Sequence, residues 1–202
     1  MMKRFVSRSL LGAAFAVGTL CTAEANAAPR THDGFHLNLN TGFGYLSSSI
    51  SETDQSLHGL TIPTGILLGG SVIPGLVIGG NLFWHYAPSP GASMGGVSAS
   101  LDDVSLYLLG IGPYVDFYPN PAEGLHFQGM VGWGALEASR NGNAGGSDPT
   151  GLIMQIGAGY DFWVGDEWSI GPMARFAYAP LSLNDVTFST IAPSLVCSFT
   201  YH

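Results

Sequence analysis

Few residues of this 202-residue chain could do acid–base or ionic chemistry, since charged side chains make up only 10% of it. Asp116 and His126 stand on either side of a proline-rich turn, where a carboxylate and an imidazole could meet across a hairpin. Such a pair can transfer protons, and it can equally be a structural contact. Arg175 and Asp161 could form a second contact between opposite charges. Whether these contacts are catalytic or structural depends on the secondary-structure elements that carry the four side chains.

Those elements are predicted to be β-strands, because apolar and small polar residues alternate along the chain. From Phe35 to Tyr45 every odd position is apolar, aromatic or β-branched, and every even position is polar or glycine. Side chains of a strand point alternately to opposite faces, so this segment has one apolar and one polar face. The pattern occurs seven more times. The predicted strands cover 35–45, 59–72, 76–86, 104–117, 125–137, 151–163, 168–178 and 187–201.

The apolar face of these strands is predicted to meet lipid. Polar loops at 47–58, 88–103, 139–150 and 179–185 alternate with short turns, as in outer-membrane barrels. Aromatic residues such as Trp168 and Tyr178 lie near strand ends, where a bilayer interface would be. The opposite face is mostly Gly, Ser, Asn, Gln and Thr, which could not form the core of a soluble sandwich. A sheet in lipid must close. The predicted fold class is therefore an all-β, eight-stranded antiparallel up-and-down transmembrane β-barrel.

The amino terminus predicts export. Residues 1–27 combine a basic start, a short apolar core and the small residues Ala25-Asn26-Ala27, the pattern of a signal peptide cleaved before Ala28. Residues 28–202 would then be the barrel domain. Cleavage leaves three basic and thirteen acidic residues, a net charge of −10, which argues against nucleic acid as a partner. Cys197 would be the one remaining cysteine, so no intramolecular disulfide is expected.

The architecture and several short patterns resemble the small eight-stranded outer-membrane β-barrel proteins, the group of the OmpA membrane domain, OmpX and OmpW. The patterns are Asp33-Gly34-Phe35, Gly112-Pro113-Tyr114 and Gly159-Tyr160-Asp161-Phe162. The resemblance implies a multi-pass protein of the bacterial outer membrane with both termini in the periplasm, and it implies no single activity. It also implies a C-terminal strand that the barrel-assembly machinery recognises. Such proteins usually end on an aromatic residue, whereas here Tyr201 is followed by His202.

The polar face of the strands places the candidate site in the barrel lumen. Eight strands leave an interior that side chains just fill, and the glycines on this face would make room for larger neighbours. The predicted polar network consists of Arg175, Asp161, Asp116, His126, Tyr114 and Gln155. Because a lone buried guanidinium is costly, Arg175 is predicted to pair with Asp161 or Asp116. The enzymatic interpretation of Asp116 and His126 lacks a nucleophile at a useful spacing.

Two further hypotheses concern the outer rim of the barrel. Asp102 and Asp103 are candidates for contact with a divalent cation that bridges lipopolysaccharide, and the alternative is a solvated acidic rim. A barrel hydrolase would need a nucleophile and a base near this rim. His58, His85 and the serines 47–49 lie there without a recognisable motif. No metal site and no cofactor are predicted.

These observations together predict a monomeric outer-membrane barrel in contact with outer-membrane lipid and lipopolysaccharide. Its predicted role is structural or in surface interaction, with a packed polar lumen. A narrow pore for small solutes is the alternative, and an outer-membrane enzyme is the third hypothesis.

Overall fold

A computed structural model describes residues 29–51, 53–141, 143–144 and 148–202. The predicted signal peptide and its cleavage site lie outside these residues. The described residues form twelve β-strands. In chain order they are β1 (Phe35–Ile50), β2 (Gln55–Ile73), β3 (Leu76–Pro88), β4 (Gly91–Met94), β5 (Val97–Ser100), β6 (Val104–Phe117), β7 (Leu125–Arg140), β8 (Asn143–Ala144), β9 (Thr150–Tyr160), β10 (Phe162–Trp163), β11 (Trp168–Leu183) and β12 (Val186–Tyr201). None of the described segments is a helix long and apolar enough to span a membrane.

Eight of the strands close into an antiparallel barrel. The order of hydrogen-bonded neighbours is β1-β12-β11-β9-β7-β6-β3-β2, and β2 pairs again with β1. The barrel strands therefore pair with their neighbours in the chain, and the pairing of β1 with β12 joins the two ends. The predicted fold class is confirmed. The short strand β10 follows β9 after a break at Asp161, whereas β4, β5 and β8 are additions at one end of the wall.

The two faces of the wall are those that the alternation predicts. Phe43 and Trp133 are 68% and 60% exposed on the outside of the barrel. His36 and Asp116 are 1% and 0% exposed and lie inside. A continuous apolar exterior is costly in water and is the surface that a hydrocarbon environment requires.

Both ends of the described chain lie at one end of the barrel, here called the terminal end, and the opposite end is called the loop end. Connections at the terminal end are 74–75, 118–124 and 164–167, and those at the loop end are 51–54, 89–103, 141–149 and 184–185. The prediction of a loop at 179–185 is wrong, because β11 and β12 continue to a tight turn at Asn184-Asp185. These two residues have φ of 48° and 66°, the conformation of hairpin turns whose twist matches that of the strands. The loop end therefore does not always carry the longer connections.

A small extra sheet extends the wall at the loop end. The predicted loop 88–103 contains β4 and β5, which pair with each other as a hairpin. The hairpin adds to the barrel because β4 pairs with the first residues of β2. Met94 and Val97 at its tip are 64% and 73% exposed.

The lumen is packed, but only the half nearest the terminal end is mainly polar. The half nearest the loop end is filled mainly by apolar side chains at most 3% exposed: Leu46, Phe83, Ala87, Leu106, Leu108, Leu136, Ile153, Ala177, Ala179, Leu181 and Ala192. The expectation of a polar lumen is wrong for this half. Strands with apolar residues on both faces form continuous apolar runs, as at 106–109, and these runs obscure the alternation. Glycine does make room as predicted, since a side chain at Gly110 would collide with the ring of Phe83.

Candidate functional site in the barrel lumen

The polar half of the lumen contains a buried acid, Asp116, whose two carboxylate oxygens are both occupied. The register of β6 and β7 pairs Asp116 with Gln128 and brings His126 close by. His126 Nδ1 lies 2.9 Å from Asp116 Oδ1, and Gln128 Nε2 donates to Asp116 Oδ2 at 3.1 Å. An ionised carboxylate can only accept, so His126 donates from Nδ1. The structure thus brings Asp116 and His126 together as a hydrogen-bonded pair.

Arg175 points into the lumen from β11 and does not pair with an acid. Its Nη1 donates to Asn40 Oδ1 at 2.6 Å, and its Nε donates to Met173 Sδ at 3.0 Å. The prediction that Arg175 pairs with Asp161 or Asp116 is wrong, because no ion pair of the described residues includes this guanidinium. The physical reason is that His126 and Gln128 hold the carboxylate of Asp116 beyond ion-pair distance of the guanidinium, while Asp161 is held at the mouth of the barrel.

Gln155 and Tyr114 are also buried in the lumen, but they belong to other contacts. Asn81 Nδ2 donates to Gln155 Oε1 at 3.3 Å. The ring of Tyr114 lies 6.3 Å from that of His36, and its hydroxyl is buried without a hydrogen-bond partner among the described residues. A side chain at Gly69 would fill the space beside this hydroxyl. The six predicted residues therefore share the lumen without forming one connected network.

Asp161 lies at the terminal mouth of the barrel, at the break between β9 and β10. Its backbone N–H donates to the carbonyl of Gly124 at 2.8 Å, which ties the break to the turn before β7. The hydroxyl of Tyr118 donates to Asp161 Oδ2 at 3.0 Å. His202 Nε2 lies 4.0 Å from the same oxygen. This carboxylate therefore faces the C-terminal residue rather than Arg175.

The mouth is closed by residues that the sequence analysis did not select. Residues 29–34 precede β1 and place His32 in the mouth, and His202 follows β12 into the same place. The ring of His32 stacks on Tyr118 with centroids 3.5 Å apart and lies 4.8 Å from the ring of Trp163. His32 and His202 are 0% and 4% exposed. Residues 29–34 together with His202 are called the terminal plug below.

Backbone hydrogen bonds anchor the terminal plug to the turns around it. The N–H of His32 donates to the Pro121 carbonyl, and the carbonyl of His32 accepts from the Gly75 N–H, both at 2.9 Å. Ser71 Oγ donates to the same His32 carbonyl at 3.1 Å. The N–H of His202 donates to the Glu167 carbonyl at 2.9 Å. An even number of strands puts both termini at one end, and this was the signal that could have predicted a contact between them.

Burial sets the charge state of the terminal plug. Burial, followed by the nearby His36, lowers the pKa of His32 to about 3. Burial and the imidazoles of His32, His36 and His126 also lower the pKa of His202. Both plug histidines are therefore neutral at neutral pH.

Several buried polar atoms in the polar half of the lumen have no hydrogen-bond partner among the described residues. They include both ring nitrogens of His36, His126 Nε2, Gln128 Oε1, Asp161 Oδ1 and Arg175 Nη2. Buried groups of this kind are normally satisfied by protein or by ordered water. Within the described ranges no group of three or more His, Cys, Asp or Glu could hold a metal ion. The site is therefore suited to polar contacts and hydration.

Comparison with known proteins assigns the barrel to a family. Residues 45–195 match the family model described as the autotransporter beta-domain. The match begins within β1 and ends within β12, so it covers most of the barrel wall. The chain belongs to the autotransporter β-domain family. No curated protein matches the sequence.

Two solved structures share the fold of this autotransporter β-domain. Neisserial surface protein A (NspA) superposes with a TM-score of 0.57 at 13% identity, over 83% of this chain and 96% of NspA. OprG from Pseudomonas aeruginosa superposes with a TM-score of 0.50 at 10% identity, over 86% of this chain and 99% of OprG. At these identities the likeness shows the fold alone. It confirms the resemblance to small eight-stranded outer-membrane barrels.

The terminal plug of this autotransporter β-domain lies outside the range that matches the family model. Residues 29–34 precede position 45, and His202 follows position 195. The family match therefore does not account for the closed mouth.

The acidic rim of this autotransporter β-domain is exposed. Asp102 and Asp103 follow β5 at the loop end, and Ser100 Oγ donates to Asp102 Oδ1 at 2.7 Å. Within the part of the chain that the structure describes, no other acidic side chain is hydrogen-bonded to these two carboxylates. Cation contact at these residues stays a prediction.

The residues considered for a hydrolase do not form a catalytic set. His85 is buried in the lumen, where its Nδ1 lies 3.3 Å from Thr61 Oγ1. The hydroxyl of Ser48 is buried as well and lies 2.8 Å from that of Thr190. No hydrogen bond of the described residues joins a hydroxyl of serines 47–49 to His58 or His85.

Proposed function

We propose that this protein is an integral, multi-pass protein of the bacterial outer membrane whose lumen is sealed and whose role is structural or in surface interaction. The observation that carries the proposal is the apolar packing of the loop half of the lumen. Phe83 and Leu108, 1% and 0% exposed, belong to this packing. A hydrated solute would have to displace these side chains and leave its water behind, which favours a closed lumen over a pore.

In the proposed orientation the terminal end faces the periplasm and the loop end faces outwards. A signal peptide at 1–27 would export the chain, and the assembly machinery would recognise β12. The protein would be a monomer whose exposed apolar wall contacts outer-membrane lipid. The rim at Asp102 and Asp103 would contact lipopolysaccharide through a divalent cation. The filled lumen leaves no path for a polypeptide, although the family name suggests transport.

The surface-interaction role is supported by the hairpin of β4 and β5. Its exposed Met94 and Val97 are apolar groups in a position that would project from the outer leaflet. Neighbouring exposed apolar side chains on a hairpin that extends the barrel wall offer a contact site for other molecules. Replacing residues 91–100 by a Gly-Ser linker should leave barrel folding unchanged and reduce attachment of bacteria to host-cell or matrix surfaces. Unchanged attachment would contradict a role of this hairpin.

Electrical recording in planar bilayers tests the sealed lumen. The purified, folded barrel should show no steady conductance steps, while a porin inserted in the same bilayer provides the positive control. Steady and reproducible steps would overturn the proposal and favour the narrow pore. A non-enzymatic role is also proposed, since Ser48 is bonded to Thr190 and His85 to Thr61, and no hydrogen bond of the described residues joins serines 47–49 to either histidine of this end. Hydrolysis of lipid or peptide substrates by the purified barrel would contradict it.

A further inference from the structure

Two histidines from opposite ends of the described chain are in direct contact in the terminal plug. His32 Nδ1 lies 3.0 Å from His202 Nδ1. Their rings are nearly perpendicular, with an interplanar angle of 78° and centroids 4.2 Å apart. Because one residue precedes the first barrel strand and the other follows the last, this contact joins the two ends of the described chain at the mouth.

The other hydrogen bonds of the two rings fix where the protons lie. His32 Nε2 is 3.1 Å from the Glu123 carbonyl, which can only accept, so His32 carries its proton on Nε2. His32 Nδ1 is then an acceptor, and His202 must donate to it from Nδ1. This leaves His202 Nε2 as the acceptor for the hydroxyl of Ser169 at 2.9 Å. Two neutral rings therefore satisfy all four ring nitrogens.

The same geometry limits how many protons the pair can hold. One added proton can be accommodated, because Ser169 Oγ can accept from His202 Nε2 and a single hydrogen still lies between the two Nδ1 atoms. A second added proton would place N–H groups on both Nδ1 atoms, which are only 3.0 Å apart. Two donors and two positive charges would then face each other in a buried site, which is unfavourable on both counts.

We propose that His32 and His202 form an acid-released latch: protonation of both rings separates them, and residues 29–34 leave the terminal mouth of the barrel. Opening would expose the polar half of the lumen to water. The apolar half would stay packed, so the barrel would remain closed to solutes. The latch is therefore independent of the proposed sealed lumen.

The surroundings of the pair favour the closed, neutral state over the charged one. The ring of His36 on β1 lies 5.3 Å from that of His202, and the ring of Trp163 on β10 lies 4.9 Å away. The ring of His126 on β7 lies 4.9 Å from that of Tyr118, on which His32 stacks. The other titratable groups near the pair are Asp116 on β6, Asp161 before β10, Glu123 in the turn before β7, and Asp166 and Glu167 in the turn before β11.

Of these acids, Asp161 is the one whose carboxylate lies closest to the pair, with Oδ2 at 4.0 Å from His202 Nε2. One carboxylate at this distance could offset a single added proton but not two. The lowered pKa of His32, about 3, and that of His202 agree with a pair that stays neutral while the plug is closed. Each proton taken up on opening shifts the equilibrium about tenfold per pH unit, so two protons shift it about a hundredfold.

A spin label at position 29 can report the latch in the full barrel reconstituted in lipid vesicles. The background substitution Cys197→Ser removes the native thiol, and Pro29→Cys places the label on the plug. We expect an immobile label at pH 7.5 and a mobile fraction that grows below pH 6.5. The ratio of mobile to immobile label should approach the hundredfold change per pH unit that uptake of two protons gives. A second label, on Val97→Cys at the loop end, should not respond. A wild-type plug that stays immobile down to pH 3, or a loop-end label that moves in parallel, would overturn the proposal.

Histidine variants assign the protons. His202→Gln keeps a donor for His32 Nδ1 and should reduce the dependence to at most about tenfold per pH unit. The double variant with His32→Gln should lose the response, and His58→Gln, on the loop end, should retain the wild-type profile. If the mobile fraction of His202→Gln changes with pH as steeply as that of the wild type, the latch is overturned. This holds even if the plug of the double variant is open at every pH.

Discussion

Removing the carboxylate of Asp116 should destabilise the barrel more than any single change on its rim. Asp116 is 0% exposed and accepts from His126 at 2.9 Å and from Gln128 at 3.1 Å. In Asp116→Ala both donors stay buried without an acceptor. A hydrogen bond to a charged group contributes roughly 1.5–3 kcal/mol, and breaking a buried ion pair costs about 3–5 kcal/mol. We therefore expect a loss of about 3–5 kcal/mol in the free energy of unfolding.

The loss can be measured by urea unfolding in lipid vesicles, followed by tryptophan fluorescence and by the mobility of unheated samples on gels. Asp103→Ala is the matched control, since it removes the same group from the exposed rim and should change stability by no more than about 0.5 kcal/mol. If Asp116→Ala costs less than about 1 kcal/mol, the pair does not hold the polar half of the lumen together. The assignment of Asp116 and His126 as a structural contact would then be refuted.

Three further predictions follow from the lumen and its plug. Because the pKa of His32 is lowered to about 3 in the folded state, its ring binds a proton more readily in the unfolded state between about pH 6.5 and 3. Through this group the free energy of unfolding should fall by up to ~1.4 kcal/mol per pH unit below pH 6.5, and urea titrations of His32→Gln should show a slope smaller by that amount, since His202 still titrates. Gly110→Ala should cost about 1–3 kcal/mol, because the new methyl group would collide with the Phe83 ring, whereas Gly80→Ala, with nothing within 4 Å, should unfold like the wild type. Arg175→Met should be at least ~2 kcal/mol less destabilising than Arg175→Ala in the same assay. Both variants remove the guanidinium, whose Nη2 is unpaired, but only methionine fills the volume that it leaves; equal losses would contradict this account.

The barrel wall could be predicted from the sequence because its constraint is local. Alternation along a strand decides which side chains share a face, and one apolar face opposite glycine and small polar residues requires lipid on the outside. This was enough to place Asp116, His126 and Arg175 inside. The same rule paired Asp116 with His126, because a hairpin register brings positions on neighbouring strands together.

The partner of Arg175 could not be predicted in this way. Strand alternation shows that a side chain points into the lumen. It does not show how far along the barrel axis the polar group of that side chain lies, or which neighbouring groups already share hydrogen bonds. Asp116 is held by its own hairpin neighbours, and the guanidinium donates instead to Asn40, which lies across the closed seam of the barrel. Closure of β1 onto β12 is a property of the whole sheet, so only the tertiary structure could make this choice.

The sequence by itself determined a chain of eight barrel strands with an apolar outside, since both features depend on short patterns. The sequence pattern did not reveal the apolar half of the lumen, because the residues that face inward there are as apolar as their lipid-facing neighbours. The terminal plug was decided by tertiary structure alone. His32 and His202 are separated by the whole barrel in sequence, and they meet because an even number of strands returns the chain to the end at which it started.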